Sequence, residues 1–210
     1  MGIDHDNALA YAPLMHVAFK EWAVVVDALG SGRQIVILRK GGISEGRRGF
    51  QVEHAEFFLF PTLVHQQRDA VLPSAEAHFD AVALQPDPAH VRLQYCAHVV
   101  SWRRLDSLVA VERLRGQHIW RDEVIAQRFE WGKERNIYAL AVRVFQLPTP
   151  VELPVLPTFA GCKSWIDLER ELSTEAATPV LSKEAFNEKL NQFHAALDTE
   201  GIASSGLPPA

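Results

Sequence analysis

The run IYALAVRVFQL at residues 137–147, followed by prolines at 148, 150, 154 and 157, constrains this chain more than any other stretch. Its β-branched and aromatic content makes it the longest strand candidate, and such a strand needs a sheet to belong to. Arg143 interrupts the apolar pattern, so its side chain must reach solvent, pair with an acid or face a cleft. The prolines predict that the chain beyond 147 is extended and irregular.

Other segments supply partners for that strand. FKEWAVVVDAL (19–29) is valine-rich and nearly continuous in apolar residues, which predicts an inner strand; Gly30-Ser31-Gly32 breaks it, and QIVILRK completes a β-hairpin. Gly41-Gly42 ends that second strand, a flexible loop covers 43–49, and FQVEHAEFFLFPT resumes strand character until Pro61. VRLQYCAHVV (91–100) is another strand, after a turn at Pro86 and Pro88.

Helices fall between and after these strands. Residues 64–80 have helical composition, Asp106 is a candidate N-cap for SLVAVERLR, and Asp122 caps EVIAQRFEW, which ends near Gly132. Ser164 caps a short helix carrying Trp165, Leu168 and Leu172 on one side. Ser182 heads SKEAFNEKLNQFHAAL, whose Phe186, Leu190, Phe193 and Leu197 form an apolar stripe that docks on the body. The expected fold is therefore one α+β domain of about five or six mainly antiparallel strands. Residues 1–172 form its core, and 173–210 an acidic C-terminal helix with a disordered tail.

Composition narrows the function classes. With 48% hydrophobic residues in 210, the chain can bury a sizeable core. It lacks an 18-residue apolar window and a signal-peptide start, so a cytoplasmic protein without a membrane partner is expected. Cys96 and Cys162 read as reduced packing residues. The net charge of −5 is unevenly placed: Asp167–Gly201 holds eight acids against three bases, while Arg33–Arg48 holds five bases against Glu45 alone. Local fields decide binding, so the acidic total does not exclude an anionic ligand.

The candidate chemistry lies in and around that basic stretch. Arg39-Lys40-Gly41-Gly42 places cations beside backbone that a phosphate or carboxylate can approach closely, although neither GxxxxGK(S/T) nor GxGxxG is present. Glu53 and His54, with Glu45 before and His65-Gln66 after them, could share acid–base work or hold a cation such as Mg²⁺. On a strand, however, Glu53 and His54 would point to opposite faces. Cys96 and His98 share one strand face, which raises a thiol nucleophile. His118 and Trp120, between two helices, could stack on a base or anchor the turn.

The segments FKEWAVVVDAL, ILRKGGISE, FQVEHAEFFLFPTLVHQ, HIWRDEVIAQRFEW, YALAVRVFQLPTPVELP and FAGCKSWIDL, in this order, resemble an uncharacterised bacterial domain-of-unknown-function family over about residues 17–170. The family's occasional fusion to restriction-endonuclease-like domains implies a role beside nucleic acid, linked to restriction, defence or RNA metabolism. The order of strands and the Gly-aromatic ending also resemble PUA-like barrels of the ASCH and EVE types. That resemblance implies a small antiparallel barrel or curved sheet that binds RNA or modified bases in a basic cleft.

The expected function is thus a nucleic-acid or modified-nucleotide binding module without a cofactor. Its ligand residues would be Arg39, Lys40, Gly41, Gly42, Glu53, His54, His65, Gln66, His118 and Trp120. Two other classes stay open. One is a Mg²⁺-dependent nuclease on a restriction-endonuclease-like α/β fold. It lacks the (Asp/Glu)-x-Lys triplet that class uses, so Lys40, Glu45 and Glu53 would have to imitate it. The other is an adaptor that uses the acidic C-terminal helix. The sequence leaves catalysis and oligomeric state undecided.

Overall fold

The computed structural model describes residues 14–40, 52–83 and 89–198. The elements in chain order are β1 (Leu14–Trp22), α1 (Ala23–Gly30), β2 (Val36–Arg39), β3 (Glu56–Thr62), α2 (Pro73–Ala83), β4 (His90–Leu105), α3 (Leu108–Glu112), α4 (Asp122–Glu130), β5 (Ile137–Pro154), β6 (Trp165–Ser173), β7 (Thr178–Pro179) and α5 (Lys183–Leu197). The fold is α+β. Seven strands form one sheet in the order β2-β5-β4-β3-β1-β6, with β7 also on β5. All described pairings are antiparallel except β1 with β3, and the sheet does not close into a barrel.

The spine is the β4–β5 ladder, paired from His90↔Pro154 to Leu105↔Ile137 with register shifts at Leu93/Tyr95 and Val99/Ser101. Bulges of this kind bend and twist a strand. The expectation that the proline-rich stretch after 147 is irregular does not hold, because β5 runs through Pro148 and Pro150 to Pro154. A proline cannot donate to a ladder and is tolerated where one side is unpaired. β2 and β7 pair with β5 only up to Gln146, so the prolines lie beyond that side's partners.

Further expectations are corrected. AVVVDALG is helix α1 rather than strand, and β2 pairs with β5 rather than completing a hairpin. Every residue of α1 except Asp27 is buried, and all-round burial overrides the β preference of valine. The stretch after Ser164 is strand β6, not a helix; its burial alternates through Ile166 and Leu168 to a left-handed residue at Glu169. Strand β3 starts at Glu56, so Glu53 and His54 precede it and the alternation argument for them does not apply. Asp106 caps nothing: it pairs with Arg104, and Ser107 stands at the N-cap of α3.

Both faces of the sheet are covered. Phe57 and Leu59 point to the larger core with Phe19, Ile37, Trp120 and Phe129, while Phe58 and Phe60 point to a second core with Cys96, Phe145, Phe159 and Ile166. The C-terminal helix reads as expected: Ser182 Oγ accepts from the Ala185 N–H at 3.2 Å, and Phe186, Phe193 and Leu197 join the larger core. Lys189 Nζ donates to the Arg33 carbonyl at 3.1 Å, fixing α5 beside the start of β2. Residues 199–210 and the turn at Pro86 and Pro88 lie outside the described residues.

Gly30, at the end of α1, packs directly against the Tyr95 ring of β4. A Cβ there would lie 2.3 Å from the Tyr95 ring, well inside contact distance. Gly30→Ala is expected to cost about 1–3 kcal/mol through overpacking. Urea denaturation should show this as a lowered midpoint at unchanged slope.

Candidate functional site

Curling of the sheet brings the two edge strands together at one end. Arg39 closes β2, and its Nε donates to Ser164 Oγ at 2.8 Å, just before β6 begins. Its guanidinium lies over the Phe19 ring of β1 at 5.5 Å from the centroid. Phe19 in turn packs edge-on against Trp165 at 4.9 Å, and Trp165 against His54 at 5.1 Å. One guanidinium thus bridges an edge that no ladder between described residues joins.

A second guanidinium arrives from α4. Arg128 lies 3.7 Å from the Trp120 ring centroid and 5.5 Å from that of Trp22. Burial lowers its pKa to about 10; Glu21 opposes this shift and the charge of Arg39 adds to it. The group stays protonated at neutral pH. Among the described residues Arg128 makes no hydrogen bond or ion pair, and Arg39 makes only the bond to Ser164. Most of their donors are therefore unspent.

Glu21 completes the mouth. It is 4% exposed, and Oε1 accepts from the Trp22 N–H at 2.8 Å. Trp22 itself is half-buried at the start of α1 and offers that helix no side-chain cap. Gln66 supplies one instead, accepting from the Val24 N–H at 3.0 Å.

The residues expected from sequence divide into three groups. Arg39 and His54 meet at the mouth through Phe19 and Trp165, and burial lowers the His54 pKa. Gln66 is spent on α1. Glu53 is exposed, and His65 is an exposed residue of the turn after β3 with φ of 61°.

Lys40 is corrected from ligand residue to structural tie. Its ammonium donates to the carbonyls of Phe129 (3.2 Å), Asn136 (3.1 Å) and Glu134, which uses all three donors at the end of α4. His118 and Trp120 are corrected as base-stacking groups, being 6% and 1% exposed. Trp120 instead carries Arg128. Gly41, Gly42 and Glu45 lie outside the described residues.

Sequence reasoning missed Glu21, Trp22, Arg128 and Ser164. The signal was present at Glu21, a carboxylate interrupting an apolar run just as Arg143 does, but the strand reading of 19–29 hid it. The other chemistries find no support in the geometry. Cys96 is buried, and burial beside Glu56 pushes its thiol up to about 12, leaving it protonated and unreactive. His98 bonds Glu56 at 3.2 Å. Arg143 stacks on Phe186 at 4.9 Å beneath α5. Among the described residues no group of three or more His, Cys, Asp or Glu side chains is placed to hold a metal ion, and no helix is long and apolar enough to cross a membrane.

The profile of DUF1802, a domain of unknown function, matches residues 18–192, which include every residue of this mouth. The chain belongs to the DUF1802 family. Among solved structures it is similar to the ASCH protein from Zymomonas mobilis, at 14% identity and a TM-score of 0.42, covering 83% of this chain and 92% of that one. Two point mutants of that protein align at 14% identity with TM-scores of 0.41 and 0.39, covering 83% of this chain and 94% and 96% of theirs. No curated protein matches the sequence.

Behind the mouth of this DUF1802 domain, His118 Nδ1 accepts from the Trp120 N–H at 3.2 Å, which requires a neutral ring. Burial lowers the pKa of His118 from 6.5 to about 4. Between those values the unfolded chain binds the proton and the folded one does not. The stabilisation is therefore complete above pH 6.5 and lost as pH falls toward 4, up to about 3 kcal/mol. His118→Gln should flatten this acid limb of the stability profile, measured by denaturant midpoints across pH. An unchanged limb would contradict the assignment.

Proposed function

We propose that this DUF1802 domain binds nucleic acid or a nucleotide at the Arg39–Arg128 mouth. The supporting observation is the pair of guanidiniums themselves: each lies over an aromatic ring, and between them only one bond to a described residue is made. Neighbouring like charges disfavour one another, and the charge of Arg39 adds to the lowering of the Arg128 pKa that burial causes. An anion placed between them relieves that repulsion and accepts the unspent donors. A guanidinium suits phosphate because its fork donates two parallel hydrogen bonds. The aromatic setting suits a base, since Trp22 is half-buried and retains surface for stacking.

Single-stranded RNA or DNA is the better fit among nucleic acids, because its bases are free to leave a stack and enter a mouth. Fluorescence anisotropy with labelled RNA and single-stranded DNA at about 50 mM salt tests the reading. Affinity is expected to fall by about tenfold or more in Arg39→Ala and in Arg128→Ala. Each substitution that removes a phosphate contact should also reduce the salt slope by about 0.7–0.9. Lys40→Ala should lower the melting temperature and leave binding of the folded protein intact. Absence of binding to either polymer, or full binding by the double arginine variant, would refute the reading.

A further inference from the structure

Glu21 is the one feature of the mouth that phosphate binding does not explain. A carboxylate repels phosphate, yet this one is buried at the end of β1 with Arg128 close enough to feel its charge. Its only hydrogen bond among the described residues comes from the adjacent peptide N–H of Trp22, and no cation there closes an ion pair with it. Arg128 is near enough for Glu21 to raise its pKa, but the two charges do not come within ion-pair distance. Acceptor and donor therefore lie close enough to feel each other's charge, with bonding capacity left on both.

The partner's chemistry follows from the donor and acceptor inventory. A carboxylate only accepts and a guanidinium only donates, so the complement carries a donor and an acceptor side by side in one plane. Nucleobase edges have this form, and guanine fits it best. Its N1–H and N2 amine are adjacent donors for the two carboxylate oxygens, and its O6 is an acceptor for Arg128. Adenine, cytosine and uracil each bring only a single donor group to the carboxylate. Arg128 lies over the Trp120 ring at 3.7 Å, with the Trp22 ring packed beside that one and 5.5 Å from the guanidinium, which restricts the direction of its donors. The geometry points to the Glu21–Arg128 pair as a reader of the guanine edge, with Arg39 on the accompanying phosphate.

This inference rests on the nucleic-acid or nucleotide reading above. The test compares short uridine oligomers carrying one central G, A, C or U, together with GMP, AMP, CMP and UMP as competitors. The guanine ligand is expected to bind about tenfold more tightly than the others, the size expected for one well-made base contact. Glu21→Gln, checked for folding by thermal melt, should abolish that preference and, by removing a charge that repels phosphate, bind the uridine oligomer at least as tightly as before. Arg39→Ala should weaken every ligand by the same factor. A preference shown by GMP supports the inference with a free nucleotide as the source, and one confined to the oligomers supports it with a single strand. Binding of all bases within twofold, or a guanine preference that survives Glu21→Gln, overturns this inference while leaving the binding module in place. Failure of every ligand to bind at about 50 mM salt overturns both.

Discussion

The β4–β5 ladder is the constraint on which the rest of the structure depends. It carries β3 on one side and β2 and β7 on the other, so every other strand attaches to it directly or through β3 and β1. A straight ladder of that length would leave β2 and β6 at opposite margins. The register shifts near Leu93 and Val99 bend it instead, and the sheet's own right-handed twist adds to the curl. The end of β2 thereby reaches the start of β6, where Arg39 meets Ser164. The mouth is thus a product of sheet curvature, with α1 and α4 delivering Trp22 and Arg128 to it.

Arg39 and Lys40 show why neighbouring cations take different roles. Successive residues at a strand end face opposite sides, so one reaches Phe19 and Ser164 while the other turns to the carbonyls after α4. The choice of residue follows the task. An ammonium directs three donors around a point and collects three carbonyls, whereas a planar guanidinium lies over a ring and still donates in its plane. Lysine here ties the helix end to the sheet, and arginine leaves donors available.

Parts of this arrangement were legible in the sequence. The strand core of β5, the Ser182-capped α5 and the basic end of β2 follow from local pattern, turn residues and capping chemistry, all of which act over a few residues. The fate of AVVVDALG does not, because a short apolar run fits an inner strand and a buried helix equally, and only the sheet packed against it decides. That ambiguity hid the mouth, since Glu21 and Trp22 sit at the strand-to-helix junction it misplaces. Arg128 was hidden for a different reason: Trp120 serves as the surface on which the arginine lies, a relation between residues that no spacing announces.

The acidic total of the chain and the cationic mouth are compatible because a ligand meets local charges and not the net one. Helix α5 is itself balanced, with Glu184 and Glu188 matched by Lys183 and Lys189. The excess includes Asp167, Glu169 and Glu171 of β6, which are exposed and so screened by solvent and salt. The field a ligand meets at the mouth is therefore weighted toward Arg39, Arg128 and the buried carboxylate of Glu21. Net charge governs how the whole molecule behaves in solution. Binding at this site is governed by three side chains that the curl of one ladder brings together.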